Sequence, residues 1–118
     1  MKQPQKTMAG TTSLSTRAEI IARITRIPRG MVSTYGAIGK AAGMSRGARQ
    51  VASFLRRSGH GLPWHRVLGA GGQIKLQGNA AFEQRFRLEA EGVRFRGKRV
   101  DMAQHEFKFV KSAGARTR

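Results

Sequence analysis

Apolar residues recur along this chain in short runs at helical spacing, separated by glycine, proline and serine. Ile20, Ile21, Ile24 and Ile27 form an apolar stripe, which predicts an amphipathic first helix. Thr16-Arg17-Ala18-Glu19 has the form of a capping box, where a hydroxyl and a carboxylate satisfy the free amides of a helix start, and Pro28-Arg29-Gly30 closes the helix. A second short helix is expected with Thr34 as its cap, running through Tyr35, Ile38 and Ala42 to Gly43, which tolerates the positive φ of a helix C-terminus. Met44-Ser45 makes a turn, and a third helix is expected from a Ser45 cap through about Arg57. At about 100° of rotation per residue, Ala48, Val51, Phe54 and Leu55 fall on one side of this helix. Arg46, Arg49, Gln50, Ser53, Arg56 and Arg57 fall on the other.

Two short helices joined by a tight turn, the second basic on its outer face, form a helix-turn-helix pattern. Leu68 to Leu76 is a glycine-rich turn between short apolar segments, compatible with a small hairpin or wing. A further helix is expected from near Asn79 to Glu91-Gly92, carrying Phe82 and Phe86 four residues apart. Val93 and Phe95 then alternate with arginines in a short extended piece, and Asp101 is a candidate cap for a last short helix ahead of Phe107 and Phe109. Residues 1–14 are too polar to offset the entropy of being ordered and are expected to be a flexible tail, as is the basic stretch 111–118. The expected fold class is mainly α: one winged helix-turn-helix-like DNA-binding domain over residues 15–110, with a small β hairpin or wing.

Charge sharpens this picture. The chain of 118 residues has 23 lysines and arginines against 6 acidic residues, a formal charge of +17, which attracts polyanions to the surface. A merely basic soluble protein or an RNA binder would share that charge. Solvation alone is a weaker account of the basic helix face, because no acidic residue occurs between Glu19 and Glu83. With 0 cysteines, disulfides, thiolate zinc sites and any thiol nucleophile are excluded, which is compatible with a reducing compartment. The apolar runs are only a few residues long and Met1 to Ser15 lacks a secretory hydrophobic stretch. A cytoplasmic location is therefore expected, nucleoid-associated if the source is bacterial. No cofactor and no metal site is implied.

Three motifs occur in order: Val32-Ser33-Thr34-Tyr35-Gly36, Ala48-Arg49-Gln50-Val51, and Pro63-Trp64-His65-Arg66-Val67. Their order and spacing from about Ile27 to Val93 resemble the C-terminal DNA-binding domain of O6-alkylguanine-DNA alkyltransferases. The signature of those enzymes is Pro-Cys-His-Arg-Val, and Trp64 stands where the acceptor cysteine should be. That replacement resembles the alkyltransferase-like proteins, a branch without the thiol. The resemblance implies binding in the minor groove through the second helix of the helix-turn-helix, with rotation of the damaged nucleotide out of the duplex. Ala48 and Ala52 would let the helix backbone approach the groove. Arg49 matches an arginine that enters the stack in place of the extruded base, although a phosphate contact would equally suit it. Tyr35 matches the tyrosine beside the flipped nucleotide, or is a core aromatic at a helix start.

Thr34, Arg46, Arg56 and Arg57 complete the expected DNA-binding set. For the lesion itself, Trp64 and Val67 would offer backbone carbonyls to the guanine amino group, and Gln77-Gly78 matches the loop whose amide faces the guanine O6. Serine often occupies the position of Gln77 in the enzymes. His65 and Glu91 match the pair that activates the cysteine, which here has nothing to activate. Glu91 sits unfavourably at a helix C-terminus, so it is expected either to have a hydrogen-bonded partner or to be solvated in a frayed turn. An indole has no basic lone pair and no accessible anion, but its apolar face could line an alkyl pocket; a lone tryptophan could equally be core.

The resemblance thus implies a monomeric, non-enzymatic protein that binds duplex DNA containing O6-alkylguanine and flags it to nucleotide excision repair proteins. A sequence-specific helix-turn-helix regulator remains an alternative, expected to read the major groove as a dimer. An enzyme using another nucleophile is a third. Nothing implies a membrane partner.

Overall fold

The computed structural model describes residues 14–109, so the two expected tails lie outside the described residues, apart from Leu14, which opens the first helix. Helix α1 spans Leu14–Arg26, strand β1 Ser33–Thr34, α2 Tyr35–Ala41 and α3 Ala48–Ser58. Strand β2 is Val67–Leu68, α4 Gly78–Ala90, β3 Phe95–Arg96, β4 Arg99–Val100 and α5 Met102–His105. Among the described residues no helix is long and apolar enough to cross a membrane.

The first helix starts two residues before the expected cap. Thr16 therefore lies inside α1, and Glu19 pairs with Arg23 one turn on, at 2.9 Å. Ile20, Ile24 and Ile27 are buried, while Ile21 is 39% exposed because its direction falls at the edge of the stripe they define. They pack with Ile38, Val51, Phe54 and Val67 into one core cluster. Val32, Leu68, Leu88, Val93 and Val100 form a second. Where the clusters meet, β1 and β2 pair in parallel, Ser33 with Val67 and Thr34 with Leu68.

Thr34 caps α2 as expected, its hydroxyl oxygen accepting from the Ala37 amide at 3.0 Å. Gly43 takes φ +86° in the turn that follows. The next helix begins at Ala48 with Gly47, not Ser45, at its cap, so Arg46 lies in the turn rather than on the helix. The reason is a close approach: a Cβ on Gly39 would meet the Gly47 backbone at 2.9 Å, so α2 and α3 touch main chain to main chain there. Of the residues expected on the apolar side of α3, Val51 and Phe54 are buried and Leu55 is partly buried against the core, but Ala48 is exposed.

These elements make a mainly α, helix-turn-helix fold with small strands. The glycine-rich segment after β2 folds back only far enough for a Gly69–Gln73 bridge, since β2 itself is paired to β1. The two-stranded antiparallel hairpin lies later, where Phe95 and Arg96 pair with Val100 and Arg99. After α5 the chain returns to β1, with the Val32 amide donating to the His105 carbonyl at 2.8 Å and the Phe107 amide to the Val32 carbonyl at 2.7 Å.

Candidate nucleic-acid interface and nucleotide cavity

The outer face of α3 is basic because nothing packs on it. Arg49, Arg56 and Arg57 are exposed, as is Arg46 in the preceding turn, and the small residues Ala48 and Ala52 lie between arginines. A cavity of about 450 Å³ opens beside this face, within the roughly 300–1,000 Å³ typical of small-molecule pockets. It brings together six of the expected site residues: Tyr35, Ala48, Arg49, Ala52, Arg56 and Trp64. Leu55, Lys75 and Leu76 complete its lining. The last two were not singled out in the sequence, where they belong to an irregular segment without a motif.

Tyr35, the first residue of α2, is half-buried against the first core cluster and also faces the cavity. Burial raises its phenol above the ordinary value, against the opposing pull of the Arg56 charge, so at neutral pH it is a neutral hydrogen-bond donor and a poor nucleophile. Trp64 sits in a single helical turn, Trp64–Arg66, between Pro63 and β2. Its indole is half-buried, with the Arg87 guanidinium over the ring at 5.5 Å and the His65 ring edge-on at 6.0 Å. It is thus not enclosed in the interior.

Next to Trp64 in the chain, His65 and Arg66 belong to a polar network centred on Glu91. The carboxylate accepts from His65 Nε2 at 2.7 Å, from Arg66 Nη2 at 2.8 Å and Nε at 3.0 Å, and from the Gly30 amide at 3.1 Å. The same arginine donates through Nη1 to the Ile27 carbonyl at 2.8 Å. The Glu91 side chain is only 7% exposed, so it is partnered rather than solvated. Burial alone would raise its carboxyl above the ordinary 4.5, but the hydrogen bonds from Arg66, His65 and Gly30 outweigh it and hold the group at about 2. His65 Nδ1 is buried and has no hydrogen-bond partner among the described residues.

The remaining expected residues stand apart from the cavity wall. Val67 is fully buried in β2, and its carbonyl already accepts from Gln84 Nε2 at 2.9 Å. Gln84 also donates to the His65 carbonyl at 3.1 Å. Gln77 and Gly78 are exposed at the start of α4, next to the lining residue Leu76, with Gly78 at φ +59°. Thr34 is committed to capping α2. Arg66 and Gln84 were missed as site-organising residues. The signal for Arg66 was its place inside the pentapeptide of a chain with few carboxylates, whereas a buried glutamine leaves no sequence signature.

Comparison with known proteins places this geometry. The family described as 6-O-methylguanine DNA methyltransferase, DNA binding domain, matches residues 15–93. The DNA base-flipping protein of Escherichia coli (strain K12) is 42% identical over 89 residues, covering 73% of this chain and 69% of that protein. Alkyltransferase-like protein 1 of Schizosaccharomyces pombe is 44% identical over 75 residues, covering 59% and 68%. Among solved structures, S. pombe Atl1 in complex with damaged DNA containing O6-carboxymethylguanine superposes with a TM-score of 0.67 at 31% identity, covering 79% of this chain and 94% of that one.

Proposed function

Because the chain belongs to the alkyltransferase-like proteins, built on the DNA-binding domain of 6-O-methylguanine DNA methyltransferases, we propose that it binds O6-alkylguanine in duplex DNA, flips it into the 450 Å³ cavity and holds it there without removing the alkyl group. The observation that carries this reading is the cavity itself, which sets the Trp64 indole and the Tyr35 phenol beside the basic face of α3.

In this reading α3 lies in the minor groove, with Ala48 and Ala52 admitting close approach and Arg46, Arg56 and Arg57 neutralising phosphates. Thr34 at the start of α2 lies against the same DNA backbone. Flipping costs a few kcal/mol of stacking and pairing, which Arg49 offsets by filling the vacated space. Tyr35 promotes rotation of the nucleotide and donates to the ring. Trp64 gives the alkyl group an apolar wall, while the Trp64 and Val67 carbonyls and the Gln77-Gly78 amides read the guanine edge. His65 and Glu91 support the pocket.

The thiol that accepts the alkyl group in the enzymes has no counterpart here: the chain has 0 cysteines, the indole nitrogen offers no lone pair, and burial keeps the Tyr35 phenol protonated. The product of recognition is therefore a stable complex, which a second system, the nucleotide excision repair proteins, would have to consume. A monomer acting on DNA in the cytoplasm, at the nucleoid if the source is bacterial, fits this role.

Anisotropy titration of duplexes with O6-methylguanine or guanine at physiological salt tests the proposal. Tighter binding of the methylated duplex, with unchanged protein mass afterwards, is expected. Equal affinities overturn it, and a footprint that depends on sequence but not on alkylation favours the regulator. A protein mass gain of one methyl group overturns the non-enzymatic reading.

A further inference from the structure

A second concavity, of about 810 Å³, lies between α4 and the β3–β4 hairpin. Ile74, Leu76, Phe82 and Phe86 form its apolar wall, and Lys98 and Arg99 its basic rim. Phe82 and Phe86 are 76% and 65% exposed, and apart from Ile21 they are the only large apolar side chains exposed among the described residues. Neither belongs to a core cluster, so folding gives no account of two aromatic rings side by side on one helix.

We propose that this groove docks an acidic segment of a partner protein that carries large apolar side chains. The partner's role rests on the handover reading given above, while the groove itself does not. Charge argues against the other occupants from this chain. A second copy would bring another +17, and residues 1–13 and 110–118 contain Lys2, Lys6, Lys111, Arg116 and Arg118 but no acid.

DNA is also acidic, but the groove is built unlike the α3 face. Glu89 lines the groove itself, whereas no carboxylate occurs in the chain between Glu19 and Glu83. A further lining arginine is committed: Arg85 donates to Glu89 at 3.2 Å and to the Gly97 carbonyl at 3.1 Å, and lies over the Phe95 ring at 4.1 Å. A continuous phosphate backbone, charged at every step, would run past Glu89. A peptide can place its acids at Lys98 and Arg99 and its apolar side chains against Phe82 and Phe86, the arrangement of an apolar interface centre with a polar rim. Leu76 lines both concavities, so a segment docked here sits beside the nucleotide cavity.

The test selects displayed random peptides on the full chain saturated with an O6-methylguanine duplex, so that DNA already covers the α3 face. Survivors are then measured on the wild type and on the double variant F82S/F86S, whose altered side chains are solvent-exposed and leave the core intact. Enriched peptides should combine Asp or Glu with Trp, Phe or Leu and bind the variant at least about tenfold more weakly, while its duplex affinity is unchanged. Absence of such enrichment, or equal binding by the variant, overturns the proposal. A comparable loss of duplex affinity in the variant overturns it too, by assigning the groove to DNA. Should the peptides behave as expected while methylated and ordinary duplexes bind alike, lesion recognition falls and the docking surface stands.

Discussion

Replacing Glu91 with glutamine tests whether the polar network holds the pentapeptide in place. The carboxylate is met by four donor groups on two other segments: His65 and two guanidinium nitrogens of Arg66, and the Gly30 amide. Its shift from 4.5 to about 2 sets an upper bound of about 3 kcal/mol on the charge-dependent stabilisation at neutral pH. Arg66 is 16% exposed, so solvent screens part of this. The expected loss in Glu91→Gln is about 2 kcal/mol, between the ~1 kcal/mol of an exposed pair and the ~3–5 kcal/mol lost on breaking a fully buried one. For a domain of this size that lowers Tm by roughly 8–16 °C.

The pH dependence has a definite sign. The folded-state carboxyl is more acidic than in the unfolded chain, so its stabilisation is complete above the unfolded value of 4.5 and is lost as pH falls towards about 2. Urea unfolding of both proteins at neutral pH and near pH 3 is the assay, because the difference between them isolates Glu91 from the other titrating groups. The gap should shrink to roughly half or less at the lower pH. A gap under about 0.5 kcal/mol at neutral pH, or one that does not narrow in acid, would refute the reasoning.

Four further variants separate folding, affinity and discrimination. Arg49→Ala should reduce the preference for methylated over ordinary duplex by about tenfold, since part of the flipping cost is no longer offset; unchanged preference in paired titrations would make Arg49 a phosphate contact. Arg56→Ala and Arg57→Ala should weaken binding of both duplexes alike and each lower the slope of log affinity against log salt by about 1, measured across a salt series. Gly39→Ala would put a methyl 2.9 Å from the Gly47 backbone, which cannot yield as a side chain can, so a stability loss of about 1–3 kcal/mol is expected in urea unfolding.

The sequence made the helices legible where one face was buried and the ends were marked. Ile20, Ile24 and Ile27 repeat at helical spacing, and Thr34 and Gly43 bracket α2 with a side-chain cap and a positive φ. It misplaced ends where tertiary contact overrode local chemistry. Ser45 is a good cap by composition, but the approach of Gly39 to Gly47 delays α3 until Ala48. The hairpin was misplaced for a similar reason: Val67 and Leu68 pair in parallel with residues 33 and 34, a long-range partner that no local pattern announces. At the site, the motifs brought the cavity wall within reach because they carry unusual residues. Lys75, Leu76 and Gln84 stayed invisible because their roles come from where the chain turns and what lies behind it.

The network also gives His65 and Glu91 a use in a chain with 0 cysteines. Glu91 closes α4, Gly30 precedes β1, and His65 and Arg66 follow Trp64 in the same helical turn. One carboxylate therefore joins three segments that are far apart in sequence, and Arg66 adds α1 through the Ile27 carbonyl. The two amide hydrogens of Gln84 hold the His65 and Val67 carbonyls from the other side. Between them these groups fix the backbone that follows Trp64, whose indole faces the cavity. Orienting a side chain by locking its main chain costs no freedom at the moment of binding. His65 and Glu91 thus have a positional use that does not depend on moving a proton.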